Sequence, residues 1–397
     1  MKNKLLLAAL SLLSAAAQAQ IVNPGFADST SGVRLDKVHI SGYLDTYVGL
    51  GPRTAGSMPY MVSSARIGEV NVNLAALDLR YQSDRVRARI MPGWGTYMDA
   101  NYAPGDPKLV EASAGFRLKT RREIWVDAGI LGSPFTNESA ISKDHLMYTR
   151  SMAAEYVPYY LSGVKLSYLA SAKWNWYAYL VNGWQQIRDQ VRGPAAVLQT
   201  EYRPNANTLI NGNLFAGREV TPSGEVGLRT FADAYIVRQI GTRWRTTADA
   251  YLGRQVTASG AAWWAQANVI AERNLAKNWR ASGRLEYLHD PRNAVVAYQR
   301  GYPGFRTASA SLGLAKHVDH GLLRLESRLF YSANDSYPTR GLGKVAPWGF
   351  ASYTVWFYRK KGPARGPSSL IRLYPDFTQL KRGRRPSPWP KPPRSRG

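Results

Sequence analysis

The residues with the most to offer chemically are arginines in alternation. In 83–91, Arg85, Arg87 and Arg89 take one parity while Val86, Ala88 and Ile90 take the other. On a β-strand, side chains two apart share a face, so this segment presents a guanidinium row on one side and an apolar row on the other. A dry core cannot hold such a row, whereas a hydrated lumen can. The chemistry on offer is electrostatic selection of ions, because rings of Arg and Lys favour anions.

The same split recurs along the chain. In 109–119, Glu111, Ser113, Arg117 and Lys119 alternate with Val110, Ala112, Ala114, Phe116 and Leu118. In 278–289, Arg280, Ser282, Arg284 and Glu286 alternate with Trp279, Ala281, Gly283, Leu285 and Tyr287. With Arg80, Arg243, Arg245, Arg324 and Arg328 the inward cations outnumber the inward carboxylates Asp45, Asp78, Glu111, Asp127, Glu201, Asp249, Glu286 and Glu326, which predicts a mild anion preference. The competing reading is mutual pairing across strands that stiffens the wall.

Catalytic patterns are weak. The five histidines are His39, His145, His289, His317 and His320. The last two mimic metal spacing in a short turn, but a structural zinc site needs four ligands. No motif pairs Ser with His around a nucleophile, and no GxxxxGK[ST] loop occurs. The sequence therefore implies neither an enzyme nor a metal or cofactor.

Elements that position these side chains follow from period-2 runs bounded by turn residues. Strands are expected near 37–50, 68–82, 85–92, 109–119, 123–131, 160–170, 173–183, 195–203, 207–217, 225–238, 242–254, 261–273, 278–289, 305–316, 321–332 and 348–358, about 16 in all as an even-numbered barrel requires. In 68–82 the apolar parity switches after Ala75-Ala76, which predicts a β-bulge. Short connections such as Ser83-Asp84, Thr120–Arg122 and Asn274–Lys277 alternate with long ones, most clearly 51–66, 93–108, 132–159, 184–194, 290–304 and 333–347. Outer-membrane barrels have this order, with short turns and both termini on the periplasmic side.

Residues 1–19 read as a cleaved signal peptide: Lys2 and Lys4, an apolar run from Leu5 to Leu13, then Ala17-Gln18-Ala19. No later stretch reaches the roughly 20 apolar residues of a membrane helix. Export argues against nucleic acid as the partner of the +25 formal charge. Cysteine is absent, so no disulfide framework supports the fold. The expected organisation is the signal peptide, an N-terminal periplasmic segment at 20–36, an all-β, transmembrane, antiparallel up-and-down barrel at 37–358, and a tail at 359–397. The barrel's last strand, Ser352–Phe357, ends on an aromatic residue. The tail holds twelve Lys and Arg against one Asp and is rich in Pro, a disordered composition. It reads either as a frame-shifted or unselected extension or as a periplasmic arm for peptidoglycan or anionic lipid.

Three runs carry a family likeness: LAALDLRYQSDRVRARIMPGWGTYMDANYA (74–103), EIWVDAGILGSPFTNESAISKDHLMYTRSMAAEYVPYYLSGVKLSY (123–168) and NWRASGRLEYLHDP (278–291). They resemble the OmpL-like family of β-barrel porins of Gram-negative outer membranes, over most of 38–357 and most strongly over 68–183. The resemblance implies an outer-membrane barrel of channel function, with no substrate to carry over. In 16-stranded porins the third external loop narrows the pore. By that analogy 132–159, bearing Glu138, Lys143, Asp144, His145, Arg150 and Glu155, is expected to form a constriction facing Arg85, Arg87, Arg89, Arg117 and Lys119. The competing reading is an ordinary surface loop whose Ser142–Ala154 portion is a short helix.

The expected function is passive diffusion of small hydrophilic solutes, the protein standing in outer-membrane lipid, with a homotrimer as the analogous assembly. The alternatives are a structural or adhesive barrel with a plugged lumen, whose loops 93–108 and 290–304 bind a partner, and, less favoured, a barrel enzyme.

Overall fold

The structure is a computed structural model that describes residues 33–35, 37–52, 56–58, 60–297, 304–319, 321–334, 337–338 and 342–357. The expected signal peptide, most of the 20–36 segment, the basic tail and His320 lie outside the described residues.

Sixteen strands form the wall: Val38–Leu50 (β1), Val70–Gln82 (β2), Val86–Trp94 (β3), Leu109–Arg117 (β4), Glu123–Gly132 (β5), Tyr160–Leu169 (β6), Trp174–Val181 (β7), Ala195–Asn205 (β8), Thr208–Val220 (β9), Val226–Ile240 (β10), Trp244–Thr257 (β11), Gly260–Ala276 (β12), Trp279–Asp290 (β13), Phe305–Val318 (β14), Gly321–Ser332 (β15) and Val345–Phe357 (β16). Each pairs antiparallel with the next, and β16 closes on β1, with Gly349 opposite Leu50 and Phe357 opposite Gly42. Closure follows from the solvent: lipid offers no hydrogen bonds, so an open edge would leave a row of unpaired N–H and C=O groups. Val33–Leu35 folds back on the start of β1, and Tyr337–Pro338 pairs with Leu342–Gly343 in the last long connection.

Alternation sets the two faces. Along β9, Leu214 is 55% exposed on the outer face while its neighbours Asn213 and Phe215 are buried inside. The outer face is a band of Leu, Val and Ile, with Tyr81, Phe116, Trp174, Trp176, Trp244, Trp279, Tyr353 and Phe357 exposed near the short-turn end. Aromatic residues favour that depth, at the lipid–water interface.

Two expectations need correction. The β2 bulge exists, but the register shifts at Asn73, where Leu74 faces Asp45 and Val72 faces Thr46. Leu74 therefore points inward and is fully buried, rather than continuing the outer row of Val70 and Val72. The long-short alternation also breaks at 221–225 and 258–259, both short. There β9 to β12, of 13 to 17 residues, keep pairing toward the outer side, so the strands themselves supply the height that loops supply elsewhere.

Leu214→Arg places a charge on the outer face near the middle of a strand and should cost about 2–4 kcal/mol, whereas Ile240→Arg at the short-turn end should cost about 0–1 kcal/mol. Urea unfolding in phospholipid vesicles measures both.

Candidate constriction site in the lumen

The connection from Ser133 to Tyr159, loop 3, folds into the barrel instead of over its mouth. A 3-10 turn at Ser142–Asp144 and a short helix, Met152–Glu155, are its regular parts. Thr136, Ser142, Thr149, Arg150 and Ser151 are wholly buried. A backbone at that depth must find partners for its polar groups, and the lumen-facing polar side chains of the wall provide them.

Loop 3 crosses from one wall to the other. On one side the Thr136 N–H donates to Asp233 on β10 at 3.1 Å, and Asn137 donates to Thr247 on β11 at 2.7 Å. On the other, the Ser142 hydroxyl donates to Asp45 on β1 at 3.0 Å, and Arg324 on β15 donates to the Ser142 carbonyl at 2.6 Å. Between them, Thr149 meets a closed set of charges. Its N–H and hydroxyl donate to Glu326 at 2.7 and 2.6 Å, while Arg284 donates to its carbonyl at 2.6 Å and Arg328 to its hydroxyl at 3.0 Å. Arg284 pairs with Glu326 at 3.0 Å and with Glu286 at 3.4 Å, and Arg328 pairs with Glu286. Glu286 also accepts the Met152 N–H at 2.6 Å. All four charged side chains are 0% exposed. Two positive and two negative charges cancel, which is the condition for holding ions at such depth.

Apart from Glu155, the loop's own charges find partners within it. Arg150 donates to the carbonyls of Ser139 and Ala140 and lies over the rings of Tyr97 and Tyr159. Glu138 accepts the Ser151 N–H at 2.6 Å. Burial, reinforced by Arg150 and Arg324, pushes the His145 imidazole well below its usual range, and its Nε2 accepts the Ser139 N–H at 3.0 Å. Glu155 accepts the N–H groups of Val62 and Ser63 at 2.7 and 2.9 Å, tying the connection after β1 onto loop 3. Burial pushes its carboxyl up to about 7, with Arg150 and those two donors pulling the other way. Lys143 pairs with Asp144 at 2.7 Å and reaches the Trp356 ring.

The expected partners of the loop are thus different from the observed ones. Arg85 and Lys119 sit exposed in short turns, beyond the ends of β3 and β4. Arg87 pairs with Asp127, and Arg89 with Asp78 and Glu111, so both are engaged on their own wall. Arg117 faces inward beside Trp125. The loop instead meets Arg284, Arg324 and Arg328, because its path is tilted across to β13 and β15, which sequence spacing does not reveal. Arg280 lies below the loop, 3.6 Å from Glu272.

Toward the short-turn end a second pattern appears. Arg80, Arg87, Arg203, Arg245 and Arg280 keep 21%, 28%, 24%, 33% and 30% of their side chains exposed, while the carboxylates beside them, Asp78, Asp127, Glu201 and Glu272, keep 3%, 6%, 1% and 4%. Water in this half of the lumen meets guanidinium groups first. Lys165, Arg203, Glu219, Arg229, Asp233 and Glu272 belong to the inward set and were missing from the sequence reading; their parity with neighbouring buried residues was the available signal.

On the outer side the lumen is packed with rings. Phe135 of loop 3 stacks on Trp184 of the next connection at 5.5 Å, and Trp184 meets Phe231 at 5.0 Å. Arg229 stands 5.1 Å from Trp184 and 5.5 Å from Trp264. Tyr102 stacks on Tyr160 at 4.8 Å, drawing the connection after β3 inward too.

The sequence from 37 to 354 matches the family model described as "Putative beta-barrel porin-2, OmpL-like". The chain belongs to this family of OmpL-like β-barrel porins. It is an outer-membrane barrel, and solved structures of the same fold agree. The outer-membrane channel DcaP of Acinetobacter baumannii is similar at a TM-score of 0.55 and 10% identity, over 82% of this chain and 100% of that one. An anion-selective porin from Comamonas acidovorans gives 0.54 and 10%, over 81% and 99%. In-vitro folded OmpT of Vibrio cholerae, in a trimer form, gives 0.54 and 12%, over 81% and 99%. No curated protein matches the chain in sequence.

Glu326→Ala strips Arg284 of one carboxylate and Thr149 of two acceptor contacts. It should destabilise this porin by about 3–5 kcal/mol, as loss of one member of a buried ion pair does, and open loop 3 to limited proteolysis; urea unfolding and protease mapping read the two effects. Glu155 gives a pH signature. Its folded carboxyl holds a proton up to about 7, against 4.5 for an ordinary glutamate. The folded state therefore binds the extra proton between those values, and stability falls as pH rises through that window. Glu155→Gln should remove about 3 kcal/mol of the pH 5 to pH 8 difference in unfolding free energy.

Proposed function

We propose that the barrel is a passive diffusion channel for small hydrophilic solutes with a mild anion preference. The observation that carries the preference is the unequal exposure of paired charges in the short-turn half of the lumen: guanidinium groups face water and their carboxylates lie beneath them. A solute passing there is sorted by the outermost charge, and cationic rings favour anions. Loop 3 is assigned the role of constriction, since it spans the lumen between β10–β11 and β13–β15. Of the residues expected at the pore, Arg87, Arg89, Arg117 and Arg280 line the arginine half, Arg284 fixes the loop, and Glu138, Lys143, Asp144, Arg150 and Glu155 belong to the constriction. The protein acts as a channel and not as a catalyst, in keeping with its family. A homotrimer in outer-membrane lipid is the assembly we assign, by likeness to the trimeric OmpT form.

One observation favours a second reading, a plugged structural or adhesive barrel. The Arg284, Glu286, Glu326 and Arg328 side chains are sealed from water, which an open lumen at that level would not do.

Planar-bilayer recording separates the two. Stepwise openings are expected, with a reversal potential of anionic sign in a salt gradient that moves toward zero when Arg80, Arg87 and Arg245 are changed together to Gln. Cation selectivity refutes the preference; silence of both the wild type and Glu326→Ala establishes the plug.

A further inference from the structure

Where loop 3 meets β10 and β11, the lumen holds a group of bare oxygen atoms. Asp233 on β10 and Asp249 on β11 lie on adjacent strands, offset by one inward position, with Asp233 opposite Tyr251 and Asp249 opposite Tyr235. Their carboxyl groups are within hydrogen-bonding reach of each other. Both residues are buried, at 4% and 3% exposure. One Asp233 oxygen accepts from Thr136 N–H and from Asn213, at 3.1 and 2.6 Å. The other Asp233 oxygen and both Asp249 oxygens lack a well-formed hydrogen bond, the Asn137 backbone N–H being the donor that acts on Asp249. Neither residue has an ion pair among the described residues.

Three amide oxygens share that condition. Asn268 stands directly opposite Asp249 on β12, Asn213 directly opposite Asp233 on β9, and Asn137 of loop 3 is held over β11 by Thr247. The Oδ1 atom of each is buried without a partner. The Glu138 Oε1 atom is likewise bare, and its charge acts on Asp249. Arginines neutralise the carboxylates at β13 and β15; at β10 and β11 none does. Two carboxylates in contact and sealed from water, with few donors around them and no cationic side chain, call for a shared proton or a bound cation between them.

We propose that a hard divalent cation, calcium by ligand type, binds between Asp233 and Asp249, completed by the amide oxygens of Asn137 and Asn268, and ties loop 3 to the wall. No three side chains of His, Cys, Asp and Glu converge anywhere among the described residues, so the charge comes from the aspartate pair and the remaining ligands are neutral oxygens. Carboxylate with amide carbonyl, in a cage contributed by several elements, suits calcium's six to eight oxygen ligands; zinc and copper select nitrogen and sulfur. The site gives loop 3 an anchor on the side away from the Thr149 cluster. It stands independently of the channel reading, because binding is measured without conductance.

The test uses the purified full-length chain in detergent micelles and terbium as the probe, with Tyr251 and Trp264 of the same wall as sensitisers. Saturable terbium emission is expected, displaced by calcium. Asp249→Asn should weaken binding at least ten-fold, while Asp84→Asn in an exposed turn leaves it unchanged. Calcium should also raise the thermal unfolding midpoint of the wild type and not that of Asp249→Asn. Asn137→Ala removes a ligand from the loop without touching the wall, and should weaken binding even where Asp249→Asn fails to fold. Binding by Asp249→Asn or Asn137→Ala equal to wild type overturns the proposal. So does a wild type that binds neither ion, in which case the aspartate pair shares a proton.

Discussion

A polypeptide surrounded by hydrocarbon has no outside partner for its peptide groups. Everything else in this molecule descends from that constraint. The sheet closes because an edge in lipid is too costly, and closure by sixteen strands leaves an interior wider than wall side chains can fill. Strict alternation then sends every second side chain into that interior, so polar residues that would be intolerable in lipid become the lining. The lipid-facing band and the arginine-bearing lumen are two consequences of one backbone requirement.

The interior raises a second problem of the same kind. Loop 3 carries irregular backbone to membrane depth, where its N–H and C=O groups again need partners. The wall meets them with charged side chains: Glu326 and Glu286 receive the N–H groups of Thr149 and Met152, and Arg284, Arg324 and Arg328 cover carbonyls. These side chains therefore have two tasks, neutralising one another and satisfying the loop. That explains why Arg284 and Arg328 are sealed while the arginines near the short turns stay wet.

Much of this was legible before any coordinates. Period-2 patterning placed all sixteen strands, and it sorted Arg87, Arg89, Arg117, Arg280 and Arg284 to the inner face, because parity along a strand is a local property. It failed where local rules lose their hold. Arg85 and Lys119 share the inward parity of their neighbours, yet the strands end before reaching them. Leu74 reads as a lipid residue until the bulge at Asn73 reverses its side. The strands before the connections at 221–225 and 258–259 run on past their expected ends at 217 and 254.

The sequence by itself determined the closed wall and its two faces, since each depends on residue type at a fixed spacing along one strand. Only the tertiary structure decided which charges meet. Thr149 reaches residues 135 and 177 positions away, and Asp233 finds Asp249 through the stagger of adjacent strands. Such encounters depend on where a loop crosses a cylinder, and a crossing is a relation in space between segments that no periodicity along the chain records.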